Sequence, residues 1–317
     1  ALEKSDLTGE RVSEVIMGNV LMAGLGQAPA RQAAFLAGLS DSVHCSTINK
    51  VCGSGLQSVI LGAQSITCEL HELVVAGGME NMSLAPYLIS GAREGFRFGG
   101  KEIKDAMQWD GLWDVYNDIP MGNLAEECAR KYNFSREEQD SFAIESITRA
   151  RRAMAEGKFK KEIVPITVTG RRGDIIVDED EGPSRAKIEK IPQLRPAFEK
   201  NGTITAANAS SINDGAAAVV LGGEAYKGQA RFRIVASAAH SQDARWFTTA
   251  PIGAMKKCLD RAKLKISDIG LFEINEAFAV VTMAAMKEFD LSYDVVISMG
   301  GPLLWAIPLA APEQGFL

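Results

Sequence analysis

"INKVCGSGLQSVILGAQSI", residues 48–66, passes from a short apolar run through a cysteine and two glycines into a helical pattern. Strand, tight turn and helix in that order mark a layered α/β unit. The turn also poses a chemical question, because Cys52 is either a small buried hydrophobe or a nucleophile. A helix N-terminus carries a positive partial charge and unsatisfied N–H groups, so a thiol placed there has a depressed pKa. Gly53 and Gly55 let the backbone approach a bound carbonyl and are expected to leave amides open for an oxyanion. The pattern is like a nucleophile elbow with cysteine in place of serine. Free cysteines are nevertheless among the most buried residue types, so chemistry alone leaves both readings standing.

Outward from this stretch, the same alternation repeats. "HCSTIN" (44–49) reads as a strand, "GLQSVILGAQSITC" (55–68) as a largely apolar helix and "HELVVAGGMENMS" (71–83) as a strand ending in a turn. Later, "DGAAAVVLGG" (214–223) and "RFRIVASAAH" (231–240) read as strands, and "PIGAMKKCLDRAKL" (251–264) as an amphipathic helix. "ISDIGLFEINEAFAVVTMAAMKEF" (266–289) reads as a strand entering a second helix. Two similar lobes are expected, although no residue-level repeat is visible. Between them, residues 84–212 carry the charged helix "SREEQDSFAIESITRARRAMAEGKF" and the acidic loop "GDIIVDEDEGPSR", which read as solvated faces of an inserted region. The expected division is therefore 1–83 for the first part of an N-terminal lobe, 84–212 for the insertion, 213–230 for a return strand and 231–317 for a C-terminal lobe.

A chain of 317 residues with 46% hydrophobic content has ample core for one large or two ordinary domains. A net charge of -6 gives no electrostatic footprint for nucleic acid. No long uninterrupted apolar run reads as a membrane span, and "ALEKSDLTGERVSEV" lacks the order of a secretory signal, so a cytoplasmic or organelle-matrix protein is expected. Five cysteines without C-x-x-C spacing read as free thiols. Cys45, Cys68, Cys128 and Cys258 are expected in the core. With only His44, His71 and His240 available and no pair at ligand spacing, no metal site is expected.

"NKVCGSGLQSV" (49–59), "VVAGGMENMS" (74–83), "PMGNLAEECARKY" (120–132), "NGTITAANASSINDGAAAVVL" (201–221) and "LFEINEAFAV" (271–280) together resemble the thiolases, most closely the acetyl-CoA C-acetyltransferases. The likeness runs in family order from about residue 10 to residue 290, and "SEVIMGNVLMAGLGQAPARQAAFLAG" (13–38) is similar to the thiolase approach to the nucleophile. The resemblance implies the thiolase fold, two layered α/β lobes with an inserted loop domain, and a Claisen condensation of two acetyl-CoA molecules or its reverse. It implies coenzyme A thioesters as substrates, no further cofactor, and a homodimer or homotetramer. By the same resemblance Cys52 accepts the acetyl group and Asn275 positions a water in an oxyanion hole; on chemistry alone Asn275 could instead cap a helix. Glu276 is assigned support of the site without proton transfer. The pantetheine contacts implied are Leu112, Met121, Phe198, Ala206, Ser210, Phe247, Ala277 and Phe278. Arg185, or else Lys190, is the candidate for the phosphates. Pro120 stands where many short-chain thiolases carry histidine, which leaves acyl-chain preference open, including a degradative 3-ketoacyl-CoA thiolase.

After "NEAFA" the family continues to a G-H-P histidine and a second catalytic cysteine, whereas this chain ends "VVISMGGPLLWAIPLAAPEQGFL" (295–317). The family's first strand and helix are also not written, so the lobes are expected to be incomplete at both ends. Joining third codon bases to the following two allows the family pattern, which suggests a one-nucleotide frame shift near Tyr293 or Asp294, checkable on the DNA. As written, the chain is expected to be an impaired thiolase, or a thiolase-fold subunit that retains only coenzyme A recognition. His44, His71 and His240, outside matching motifs, read as structural.

Overall fold

The computed structural model describes residues 1–171, 173–296 and 299. The backbone divides into two units, one of Ala1–Val115 with Ile212–Ile234, the other of Tyr116–Ser211 with the described residues from Val235 onward. The altered tail, apart from residues 295, 296 and 299, lies outside the described residues.

In the first unit the order is β1 (Glu14–Gly18), α1 (Pro29–Leu36), β2 (His44–Ile48), α2 (Ser54–Thr67), β3 (Leu73–Asn81), the short strands β4 (Tyr87–Ile89), β5 (Ile103–Asp105) and β6 (Trp113–Asp114), and later β10 (Asp214–Gly222). Four of these form a sheet in the order β10-β3-β1-β2, with β1 parallel to β2 and β3, and β10 antiparallel to β3. A strand covered on both faces should be apolar along its length, and Leu73–Gly78 of β3 is buried throughout. Side chains alternate across a strand, so the two helices take opposite faces. Val15, Met17, Leu73 and Val75 pack with Ala30 and Ala34 of α1. Val74, on the other face, meets α2 where Gly62 leaves room: a Cβ at Gly62 would stand 3.0 Å from Val74 Cγ1 and 2.8 Å from Leu221 Cδ1. Ser58 Oγ, buried under α2, lies 2.6 Å from Gly55 O and 2.7 Å from Gly77 O, tying helix to strand.

The second unit holds β7 (Ile119–Pro120), α3 (Met121–Tyr132), α4 (Arg136–Ala155), the hairpin of β8 (Ile166–Gly170) and β9 (Gly173–Val177), the short helix α5 (Glu181–Arg185), α6 (Ala250–Ala262) and α7 (Ala279–Phe289). The charge-rich α4 opens on a capping box: Glu138 N–H donates to Ser135 Oγ at 3.1 Å and Ser135 N–H to Glu138 Oε2 at 2.7 Å. Only part of α4 is solvated, for Phe142, Ala143 and Ile147 enter a core with Ala125, Cys128 and Ala129 of α3 and Val280, Val281, Ala284 and Ala285 of α7. Every residue of strands β8 and β9 is exposed.

Three expectations do not hold. Residues 231–240 form no strand; the backbone is irregular, and the Ser237 and Ala239 carbonyls accept from Arg261 (2.6 Å) and Lys257 (3.4 Å) of α6 instead of from a ladder. A strand exists only beside a partner strand, and none borders this segment among the described residues. The strand expected before Asn275 is likewise reduced to one bridge, Phe272 with Val296. Among the cysteines, Cys128 and Cys258 are buried and Cys45 is half-buried, but Cys68 is exposed. Helix α2 ends at Thr67, so Cys68 stands at its C-cap, beyond the face packed on the sheet. Among the described residues no helix is long and apolar enough to cross a membrane.

Gly77 pairs with Ala218, and a Cβ there would collide with the Ala217 carbonyl. Gly77→Ala is expected to lower stability by about 1–3 kcal/mol through overpacking in the sheet, measured as a fall in the urea midpoint.

Candidate active site

The turn bearing Cys52 is built by its own hydrogen bonds. Strand β2 ends at Ile48, whose carbonyl accepts Asn19 N–H at 2.9 Å. Asn49 Oδ1 then accepts Val51 N–H at 2.9 Å, a side-chain mimic of a backbone turn. Ser54 Oγ accepts Lys50 N–H at 2.8 Å and donates to Val51 O at 2.6 Å. Within this frame Val51 adopts φ 49°, a left-handed conformation that a β-branched side chain resists. Strain of this kind persists only where neighbours over-determine the backbone. Cys52 follows at the apex, half-buried, one residue before the Gly53 cap of the 14-residue α2. It therefore combines reachability with the positive end of a helix. Burial pushes the Cys45, Cys128 and Cys258 thiols up, which sets those three apart as inert packing residues.

The neighbouring glycines differ from expectation in one respect. Gly53 N–H already donates to Lys50 O at 3.2 Å, closing the turn, so it is not an open oxyanion donor. Close approach is the role the structure gives to Gly18: a Cβ at the end of β1 would stand 2.6 Å from Ser54 Cβ and 2.7 Å from Gly55 N. Glu80 and Asn19, which sequence reasoning passed over, lie at the same strand ends and are both buried. Their only signal was a charged residue directly after the apolar run of β3.

His44 and His71 meet edge to face at 5.5 Å, with Glu14 3.8 Å from His71 Nε2. His44 opens β2, whereas Cys52 follows its other end. His240 shares a hydrogen bond with Gln242 at 3.1 Å and lies against Gly253. Leu112 is half-buried at the end of the wide helical turn Met107–Leu112 of the first unit.

Most of the remaining candidates belong to the second unit, where Phe278 is their hub. Its ring meets Phe198 at 6.1 Å and Phe247 at 6.3 Å, both edge to face. Phe198 fits because Gly122 has no side chain; a Cβ there would strike the ring. Met121, at the start of α3, packs on the same core. Residues 208–210 are stitched to 277–279 by Ser210 N–H to Ala277 O (3.0 Å) and Ala279 N–H to Asn208 O (2.8 Å). Ser210 and Ala277 are thereby brought together, and Ala206 stands exposed two residues before Asn208.

Asn275 is half-buried ahead of α7, and the cap position of that helix is Phe278, so the capping alternative for Asn275 fails on position. Glu276 is fully buried and accepts a hydrogen bond from Ser146 Oγ at 3.0 Å. Arg185 is on the surface, paired with Glu181 at 2.5 Å, and Lys190 is also exposed.

Glu273, two residues before Asn275, was not anticipated: burial pushes its carboxyl up to about 7. An unfolded glutamate releases its proton near 4.5 while the native one holds it, so the native state is disfavoured progressively as pH rises from about 4.5 to about 7. Glu273→Gln is expected to remove a loss on the order of 3 kcal/mol across that window, read from chemical denaturation at a series of pH values. Val51 is 43% exposed and has little packing to lose. Val51→Gly is accordingly expected to stabilise the chain by about 1 kcal/mol, the relieved strain exceeding the added backbone entropy, read in urea.

Residues 1–225 match the family description "Thiolase, N-terminal domain", and residues 226–312 match "Thiolase, C-terminal domain". Acetyl-CoA acetyltransferase 2 of Arabidopsis thaliana is 46% identical over 316 residues, covering 98% of this chain and 78% of the relative. A probable acetyl-CoA acyltransferase of Staphylococcus aureus (strain COL) is 44% identical, covering 98% and 80%. The crystal structure of the Acat5 thiolase from Ascaris suum in complex with coenzyme A superposes with a TM-score of 0.91 at 42% identity, covering 98% of this chain and 81% of that one. With a four-stranded sheet presenting Cys52 at a helix N-terminus, and with both domains matched, the chain has the thiolase fold and belongs to the thiolase family.

Proposed function

We propose that this acyltransferase of the thiolase family condenses two acetyl-CoA molecules to acetoacetyl-CoA and CoA, and runs the reverse thiolysis, through an acetyl group carried on Cys52. The single observation that carries the proposal is a half-buried thiol at the start of α2, held on a strained, hydrogen-bonded turn. In the first half-reaction Cys52 Sγ attacks the thioester carbonyl, a C–S bond forms, and the coenzyme A thiolate leaves. Oxyanion donors aimed at the tetrahedral intermediate lower the barrier. In the second, a base takes the α-proton of another acetyl-CoA, and its carbanion attacks acetyl-Cys52 and expels the Cys52 thiolate. Asn275 is assigned to orient a water toward the enolate oxygen, a task suited to a neutral amide.

The pantetheine arm is assigned to the aromatic group of Phe198, Phe247 and Phe278 with Met121, Ala206, Ser210 and Ala277, and Leu112 is retained as a further contact. The phosphates are assigned to Arg185, which would exchange its exposed pair with Glu181 for them, with Lys190 as the alternative. Coenzyme A thioesters are substrates in this scheme, and no other cofactor enters it. A homodimer or homotetramer in a reducing, cytoplasmic or matrix compartment completes the proposal, supported by five free thiols.

Exposure to acetyl-CoA followed by peptide mass spectrometry is expected to find an acetyl adduct on Cys52 and none in Cys52→Ala; an unmodified Cys52 would leave only a coenzyme A-binding role. Phe247→Ala is expected to weaken coenzyme A binding about tenfold, the worth of one aromatic contact near 1.4 kcal/mol, by calorimetric titration.

A further inference from the structure

We propose that Glu80 is a positioning residue for Cys52, acting through Asn19 on the strand end from which the nucleophile turn departs; the assignment rests on Cys52 being the acyl carrier. The Glu80 carboxylate, 5% exposed, accepts Val20 N–H at 2.8 Å, Leu21 N–H at 3.0 Å and Asn19 Nδ2–H at 2.8 Å. The other hydrogen of that amide reaches Met79 O at 3.0 Å. Asn19, fully buried, uses its backbone N–H to hold the carbonyl of Ile48, the last residue of β2. One residue earlier, Gly18 lies against Ser54 and Gly55. The exit of β1 thus touches the nucleophile turn on both sides, at Ile48 before Cys52 and at the first turn of α2 after it. Glu80 is the group that fixes this exit.

Stability is a poor account of the pair. Glu80 forms no ion pair among the described residues, and burial, the largest influence, raises its pKa against the lowering effect of its three N–H donors. Asn19 Oδ1 is buried with no hydrogen-bond partner among the described residues. An apolar pair of similar volume would avoid both the desolvated carboxylate and the unfilled acceptor. What an apolar pair could not do is hold three consecutive residues, 19 to 21, at fixed points relative to β3 and β2. Preorganisation of that sort is worth rate, since a displacement of about 1 Å at a reacting group costs up to ~100-fold.

The test compares alkylation of Cys52 by iodoacetamide with that of exposed Cys68 in the same molecule, both followed by mass spectrometry, in wild type, Glu80→Gln, Glu80→Asp and Asn19→Ser. Glu80→Gln is expected to lower the Cys52 to Cys68 rate ratio about tenfold while the folded circular dichroism signal is retained, a change of about 1.4 kcal/mol in barrier. Glu80→Asp should restore much of the ratio, and Asn19→Ser should lower it in the same direction. An unchanged ratio in folded Glu80→Gln overturns the proposal. So does unfolding of both Glu80→Gln and Asn19→Ser, which would assign the pair to stability. Acetylation of wild-type Cys52 by acetyl-CoA is scored separately: its absence removes the carrier role of Cys52, whereas its presence with an unchanged ratio removes only the role of Glu80.

Discussion

The structure depends on the approach of the end of β1 to the first turn of α2. Glycine at position 18 lets Ser54 and Gly55 come within the space a methyl group would need. With the helix start seated there, the five residues between β2 and α2 have no slack, and Val51 is driven into a left-handed conformation. The aligned peptide dipoles of α2 then converge on the turn that carries the thiol. Gly62 and Ser58 complete the seating further along the same helix by admitting Val74 and reaching Gly77. Packing, strain and the chemical setting of Cys52 therefore have one cause.

A second constraint of the same type governs the other unit. Its aromatic group is ordered by a backbone stitch between residues 208–210 and 277–279, and Asn208 anchors one side through Thr205 N–H (2.7 Å) and Thr203 O (3.0 Å). Glu126 of α3 accepts from Thr203 N–H and Ile204 N–H on the same loop, at 2.8 Å each to its Oε1. Buried, fully engaged polar groups of this kind fix loops that apolar contacts alone would leave with alternatives. Ala206, Ser210, Ala277 and Phe278, assigned to the pantetheine arm, are thus carried on segments held by buried hydrogen bonds.

Much of this was legible in the residues themselves. The glycine turn after "HCSTIN" and the period of "GLQSVILGAQSITC" each specify local geometry, and each element formed where its pattern lies. Local signals fail where a partner decides the outcome. The apolar run 231–240 has strand composition but no strand beside it among the described residues, and Cys68 has helical phase but lies past the last packed turn. Within the site, the nucleophile turn could be read because glycine and cysteine carry their chemistry at fixed spacing. Glu80, Asn19 and Glu273 could not, because a carboxylate or amide in a sequence looks the same whether solvated or buried. Only the fold shows that residues 19 and 80 share a hydrogen bond across sixty-one positions.

Gly122 illustrates how specificity can be written by subtraction. The ring of Phe198 occupies the volume that a side chain at 122 would claim, and from there it meets Phe278. The calibre of the aromatic wall is consequently set on α3, at a position that offers no atom of its own. A side chain at 122 would displace the Phe198 ring from its place against Phe278 without itself standing among the residues assigned to the pantetheine arm.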